Sequence, residues 1–528
     1  MMELFLMSLL PYFIFTAYKS KKSFHILQQN YYDESERYFL WILKNPKKVW
    51  LEVDSLFIIL FSFLLLPEKM CVLIFVSFYI LLFAQYHTKM KLEQTKKPLV
   101  VTARVKRMIF TLIILHLMLL FPMIKFYDNN LIVANYLLLS FTTYLNYLII
   151  KLVNFINKPI EKCVFMSYKL KALKKMKMLK IPVVGITGSY GKTSSKNIIN
   201  DILSVKFNSF ATPQNYNTTY GLILTINNHL DKFNDIFIAE MGAFKVGEIK
   251  ASCDFIKPTH GVLTTIGEAH LESFGSRKNI QKGKFELIES LPSDGIAILN
   301  GDDKYQKEYK LKNDCNVYWI GIDNEDVDLS ASNIKLSHSG TSFDVRFKDD
   351  EEIYTFNTRL LGKHNVYNVL AGILLGKKLG MSVIELKRGV SKIQTIEHRL
   401  ELKKIGTLNI IDDAYNSNPV GSKAAVEVLG MMPGIKIIVT PGMIELGEEQ
   451  YELNKKFGTY IAKEVDYAIL IGKDQTKPIY EGLIESSFPK EKIFILNDVK
   501  EAFPLMRRLE EGETYALLEN DLPDLFNE

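Results

Sequence analysis

The run Gly185-Ile-Thr-Gly188-Ser189-Tyr-Gly191-Lys192-Thr193 sets glycines three residues apart ahead of a Lys-Thr pair. Glycines let the backbone turn where other residues are strained, so that successive N–H groups converge on an anion. A helix that begins at the turn adds positive potential. The run follows an apolar tetrapeptide, residues 181–184 (IPVV), and precedes a helix-compatible stretch from Ser194 to Val205. Strand, glycine turn and helix, in that order, is what a nucleotide phosphate loop requires. In such a loop Gly188, Ser189, Gly191 and Ser194 belong to the cradle, Lys192 neutralises the β- and γ-phosphates, and Thr193 ligates Mg²⁺. The strict G-x-x-x-x-G-K-[ST] pattern fails, because Ile186 stands where it requires glycine.

Two further residues fit phosphate chemistry. Glu240 ends the apolar run Asp235–Glu240, where a carboxylate reaches a metal beside the loop; Mg²⁺ takes few protein carboxylates and keeps waters. His270 is a candidate ligand for a second divalent ion. Cys71, Cys163, Cys253 and Cys315 form no C-x-x-C pair and mark no zinc site. No LSGGQ signature accompanies the loop, which argues against a transport ATPase, and the intact Lys192, Thr193, Glu240 and His270 argue against an inactive scaffold.

The glycine spacing resembles that of the Mur ligases, the ATP-dependent amide ligases of cell-wall synthesis, and the resemblance continues for about 340 residues. It extends through Ala211-Thr-Pro-Gln-Asn215-Tyr-Asn217, Asp235–Gly242, Glu268–Gly275 and Lys282-Gly-Lys284-Phe-Glu286. Further on it includes Leu299-Asn300-Gly-Asp302-Asp303, Gly362-Lys-His364-Asn365-Val-Tyr-Asn368, His398-Arg399-Leu-Glu401 and Asp412-Asp413-Ala-Tyr415-Asn416-Ser-Asn418-Pro419. The pattern is most similar to the branch that adds D-alanyl-D-alanine to a tripeptide precursor. The resemblance implies Glu240 on Mg²⁺, His270 at a second metal, and a carbamylated lysine at Lys284, 14 residues beyond His270. It implies that Asn217 belongs to the ATP-site segment, that Asn300, His364 and Asn365 frame the adenine, that Asp413 holds the ribose and that Arg399 meets the γ-phosphate. The implied reaction has two steps: a carboxylate attacks the ATP γ-phosphorus to give an acyl phosphate, and an amine then displaces phosphate. Lys192, Arg399, His270 and Lys284 are the catalytic candidates, and no side chain acts as a covalent nucleophile. The implied partners are ATP, two Mg²⁺, an amino acid or dipeptide as amine, and a wall precursor as acyl donor, nucleotide-linked or lipid-linked; a polyglutamate capsule is the alternative product.

The elements that must position these residues divide the chain in two. Its 528 residues carry a formal net charge of +6, but residues 1–180 hold 25 Lys and Arg against 10 Asp and Glu, and residues 181–528 hold 40 against 49. The second part is acidic and is not read as a nucleic-acid binder. In the first part, five apolar runs (Leu4–Tyr18, Ser55–Pro67, Met70–Thr88, Met108–Ile124 and Asn129–Ile150) alternate with basic loops at 19–50, 89–107 and 151–180. That alternation predicts five transmembrane helices, within a range of four to six, with the basic loops and the catalytic part on the cytoplasmic face of the cell membrane. The lysines of 151–180 are expected on anionic membrane lipids. Residues 31–43 read equally as an aromatic interfacial segment or a packed loop. The domains expected are a membrane region over 1–180, a parallel-sheet α/β P-loop ATPase domain over 181–398 with a β-hairpin insert at 326–358, and a Rossmann-like domain over 399–528. In the latter, strands are predicted at Leu408–Asp412, Ile435–Val439, Tyr467–Ile471, Lys492–Leu496 and Thr514–Leu518. Thr440–Gly447 departs from the Gly-Asp-Met usual at that place in the resembled branch, which bears on the amine site.

Overall fold

The computed structural model describes residues 1–33, 36–50, 66–92, 98–128, 131–214, 216–337, 340–395, 398–414, 418–444 and 446–520. The chain divides into two compact units, Met1–Ser167 and Tyr168–Glu528.

The second unit contains two sheets. The first is built from β1 (Val183–Thr187), β2 (Ser209–Ala211), β3 (Ile236–Glu240), β4 (His260–Leu263), β5 (Ile296–Asn300), β6 (Asn316–Gly321), β7 (Leu329–Ser337), β8 (Gly340–Phe347) and β9 (Ile353–Thr358), in the order β2-β3-β1-β4-β5-β6-β7-β8-β9. The strands from β2 through β7 pair in parallel, and β7, β8 and β9 continue the same sheet as an antiparallel meander. The short apolar runs are therefore central strands covered on both faces; every residue of β1 and β3 is buried. Val184 pairs with Ile238 of β3 on one side and His260 of β4 on the other. The strand order reverses around β1, and in open parallel sheets ligands bind at the carboxyl ends of strands beside such a reversal. The phosphate loop leaves β1 there.

The helices Lys192–Leu203, Lys363–Lys378 and Val383–Lys392 supply Ile198, Ile199, Ile202, Val369, Leu370, Ile373 and Leu386 to the core beneath this sheet. They approach closely: a Cβ on Gly389 would stand 2.9 Å from Ile202 Cα.

The second sheet contains β10 (Glu401–Ile405), β11 (Leu408–Asp413), β12 (Ile435–Thr440), β13 (Tyr467–Ile471), β14 (Ile493–Leu496) and β15 (Thr514–Glu519), in the order β10-β11-β15-β12-β13-β14. Only β10 is antiparallel to its neighbour. All five strands expected here form, within one residue of their expected ends. β10 was not anticipated, because its Glu-Leu-Lys-Lys-Ile pattern is that of a charged edge strand. Nor were β2, with three residues, or β7, whose alternation is interrupted by a register shift between Ser332 and Lys335.

The first unit is helical, and the five-span expectation is corrected. By length and composition, two helices among the described residues suffice to cross a bilayer, Glu68–Lys89 and Ala103–Lys125; a third span counts only if Ile132–Tyr144 and Asn146–Leu179, bent by 75° at their break, are taken together. The first apolar run forms part of the helix Met2–Gln29, which also carries Lys19, Lys21 and Lys22. Its inward side is polar as well as apolar: Ser8 Oγ lies 2.8 Å from Tyr136 Oη, and Tyr12 Oη 2.7 Å from Thr142 Oγ1. The run Ser55–Pro67 lies outside the described residues except at its end, and Asn129–Ile150 is broken at Leu145. The localisation built on five spans, with catalytic domains below a membrane, falls with them. Within 31–43, Tyr38 is fully buried and donates to Tyr147 O at 3.1 Å, so the segment is packed at that residue.

Candidate active site

The phosphate loop is bonded to the segment that follows β4. Ser189 N donates to Thr265 O at 2.7 Å, and Ser189 Oγ accepts from Gly267 N at 3.0 Å. Thr264 Oγ1 donates to Tyr190 O at 2.5 Å. Gly188 leaves room for the residue that follows β4: a Cβ there would run into Thr264 Oγ1. Gly191, at φ 78°, is the left-handed residue from which the helix Lys192–Leu203 starts. Lys192 Nζ curls back over the loop and donates to Gly188 O at 2.9 Å and Ser189 O at 3.1 Å. Burial lowers its pKa; Glu240 opposes that shift and Arg399 adds to it.

Glu240 ends β3 as expected and is 1% exposed. Its Oε1 accepts from Thr193 Oγ1 at 3.0 Å and from Asn217 Nδ2 at 3.3 Å. Its Oε2 lies 3.2 Å from Lys196 Nζ without hydrogen-bond alignment, and makes no hydrogen bond among the described residues. A buried carboxylate whose Oε1 meets a threonine hydroxyl is a donor set that suits a hard cation such as Mg²⁺. Asn217 thus belongs with Glu240; Asn215 of the same motif lies outside the described residues.

His270 and Lys284 lie within electrostatic reach of Lys192. The pKa of His270 is lowered to about 4, by burial first and then by the cations of Lys192 and Lys284, so at neutral pH its ring is uncharged. Lys284 is 1% exposed, with Nζ 3.5 Å from Ala243 O, and its pKa is pushed far down by burial and by Lys192. No three His, Cys, Asp or Glu side chains gather into a metal site among the described residues. A second ion at His270 would take oxygen donors in addition to that ring.

Next to the loop a cavity of about 420 Å³ opens between the two sheets of this unit. Gly191, Ser194, Asn300, His364, Asn365, Arg399 and Asp413 line it, with Tyr190, Tyr305, Tyr367 and Glu519. The volume lies within the range of small-ligand sites. Asn300 is tied into its own turn, its Oδ1 accepting from Asp302 N at 2.9 Å. Asn365 joins a chain in which Ser195 Oγ donates to Asn368 Oδ1 at 2.6 Å and Asn368 Nδ2 to Asn365 Oδ1 at 3.2 Å. His364 Nδ1 makes no hydrogen bond among the described residues, and burial lowers the pKa of the ring to about 4.

Arg399 sits between two residues in left-handed conformation, His398 at φ 59° and Leu400 at φ 47°. Such backbone persists only where its surroundings hold it. Here His398 Nδ1 lies 2.8 Å from Asp412 Oδ2, and Leu400 N donates to Asp413 Oδ1 at 3.1 Å. Burial raises the Asp413 pKa to about 6, against the pull of Arg399. Tyr415 and Asn416, which follow, lie outside the described residues, as does Glu445 in Thr440–Gly447. The rest of that second loop is pinned by Asn454, whose Oδ1 accepts from Met443 N at 2.8 Å and whose Nδ2 donates to Met443 O at 2.9 Å.

The structure thus gathers Lys192, Thr193, Asn217 and Glu240 at the loop, sets His270 and Lys284 within electrostatic reach of Lys192, and brings Arg399, just before the second sheet, and Asp413, at the end of β11, to the cavity beside the loop. Lys196, Tyr190 and Glu519 were missed. Lys196 had a signal: it lies three residues after Thr193, on the same helix face.

Residues 186–376 match the Mur ligase middle domain, and residues 398–518 match the Mur ligase glutamate ligase domain. The UDP-N-acetylmuramoyl-tripeptide--D-alanyl-D-alanine ligase of Bacillus subtilis (strain 168) is 33% identical over 296 residues, 55% of this chain and 63% of the relative. The enzyme of that name from Escherichia coli (strain K12) is 31% identical over 294 residues, 55% of this chain and 64% of the relative. The chain therefore spans less than two thirds of the length of these relatives. Among solved structures, the MurF ligase of Thermotoga maritima in complex with ADP aligns with a TM-score of 0.61 at 26% identity, covering 68% of this chain and 80% of that one. A MurF of Acinetobacter baumannii aligns at 0.61 and 24% identity, covering 67% and 77%, and supports the fold. The relatives' names carry a nucleotide-linked acyl substrate, which gives no support to a lipid-linked donor or to membrane lipids as partners.

Proposed function

We propose, for a chain that belongs to the Mur ligase family through its two matched domains, that it is an ATP-dependent carboxylate–amine ligase of MurF type. It adds D-alanyl-D-alanine to a UDP-N-acetylmuramoyl tripeptide. The observation that carries this reading is the convergence on one cavity of the phosphate loop from the first sheet and of Arg399 and Asp413 from the second. The relatives' names supply the substrates.

The cavity takes the nucleoside of ATP, with His364 and Asn365 toward the base and Asp413 toward the ribose. The phosphates extend over the loop to Lys192, whose ammonium group leaves the loop carbonyls to meet them. When the substrate carboxylate oxygen attacks the γ-phosphorus, the bond to the β,γ-bridging oxygen breaks and ADP leaves. Lys192 and Arg399 offset charge on the transferring phosphoryl group. The dipeptide amine then attacks the acyl carbon, loses a proton and expels phosphate. Mg²⁺ held by Thr193 and Glu240 would supply further charge neutralisation. Burial and Lys192 push the pKa of Lys284 well down, which favours the neutral form through which an amine adds CO₂ and releases a proton; the resulting carbamate would supply oxygens to a second ion at His270.

The test is ligation by the purified chain, followed by product mass. ADP release should require both the tripeptide nucleotide and D-alanyl-D-alanine, and the product should gain one dipeptide less one water. Lys192→Ala should reduce kcat/KM about 10³-fold, roughly 4 kcal/mol of transition-state stabilisation. ADP release with neither co-substrate required would refute the reading.

A further inference from the structure

Lys196 is 2% exposed and one helical turn beyond Lys192. The two lysines of this turn face different tasks. Lys192 bends over the phosphate loop, whereas Lys196 points to the end of β3, with Nζ 3.2 Å from Glu240 Oε2. Lys196 Nζ also donates to Gln214 O at 2.5 Å. That carbonyl lies in the segment that leads to Asn217, whose amide reaches Glu240 Oε1. Thr212 Oγ1 of the same segment accepts from Glu240 N at 3.2 Å. One side chain thus joins three pieces: the phosphate-loop helix, the backbone at Gln214 and the carboxylate at the end of β3.

Its effect on Glu240 is directional. Oε2 is drawn toward Lys196, and Oε1 is left beside Thr193 Oγ1 and Asn217. Charge pairs buried this deeply are held by their geometry, and removal of one partner leaves the other without compensation. We propose that Lys196 is a positioning residue that fixes the orientation of the Glu240 carboxylate, and thereby sets the affinity of this site for a divalent cation, without touching nucleotide or substrate. The proposal rests on the ligase reading only in placing the cation at Glu240.

The experiment is Mn²⁺ binding to the full-length chain without nucleotide, read by the free-ion electron paramagnetic resonance signal, alongside the Mg²⁺ dependence of ligation. Lys196→Gln, which retains a donor for Gln214 O but not the charge, should weaken Mn²⁺ binding about tenfold. It should raise the Mg²⁺ concentration for half-maximal rate in step, with kcat at saturating Mg²⁺ within about threefold of the parent. Lys196→Arg should stay within about twofold on both measures. Unchanged or tighter Mn²⁺ binding by a folded Lys196→Gln chain would overturn the proposal. If that chain does not fold, adding Glu240→Gln should restore folding by removing the stranded charge; continued failure to fold overturns the proposal as well. Absence of ligation by the parent chain would count against the ligase reading while leaving the Mn²⁺ measurement to decide the role of Lys196.

Discussion

Asp413 shows how a single side chain sets a working range. Burial raises its pKa to about 6, against an ordinary 3.8, and Arg399 only partly offsets this. The folded chain therefore holds this proton more tightly than the unfolded chain. The resulting contribution to stability is fully present below about pH 4 and is lost as pH rises through 6. Nucleotide binding runs the other way, because a ribose hydroxyl donates best to an ionised carboxylate. The KM for ATP should therefore rise several-fold between pH 7.5 and 5.5 while the fold becomes no weaker on account of this group. Asp413→Asn should raise KM at pH 7.5 and flatten that dependence. Steady-state kinetics across the range check it, and an unchanged pH profile in the variant would remove Asp413 from the nucleotide site.

At the scale of elements, the site depends on how closely three helices pack beneath the first sheet. The helix Lys192–Leu203 carries Lys192, Thr193 and Lys196 on its first turns and rests on Val383–Lys392 at Gly389. A methyl group at Gly389 would meet Ile202 backbone atoms, Cα at 2.9 Å and O at 3.0 Å, which cannot rotate away as a side chain would. Overpacking of this kind costs about 1–3 kcal/mol. Gly389→Ala should lower the urea midpoint and Tm of the second unit and displace the phosphate-loop helix enough to raise the KM for ATP. Equilibrium unfolding with a parallel kinetic assay tests both, and a variant as stable as its parent would show that the helices have slack.

At the scale of the whole molecule the chain is two units with different demands. A ligand that binds only the folded second unit stabilises that unit alone, by about 2.7 kcal/mol at 100 times Kd. ADP with Mg²⁺ should raise the calorimetric transition of Tyr168–Glu528 by a few degrees and leave that of Met1–Ser167 in place. Equal shifts in both transitions, or in neither, would contradict nucleotide binding confined to the second unit. In that second unit much was legible from sequence. The glycine turn, the strand ending in Glu240 and the five strands after residue 400 are local patterns of spacing and hydropathy, and local patterns dictate local conformation. In the first unit the same reasoning overcounted. An apolar run reports burial without saying whether lipid or protein covers it, and Met2–Gln29 turns Ser8 and Tyr12 toward neighbouring helices. The sequence by itself determined the phosphate loop, the identity of the charged groups and the family pattern that joins them, because these follow from residue type and order. Only the tertiary structure decided that Lys196 braces Glu240, that Lys192 lies within reach of His270 and Lys284, and that Asp412 and Asp413 hold both flanks of Arg399. Those arrangements are contacts between distant segments, and the energies that fix them arise only when the core brings charges together away from water.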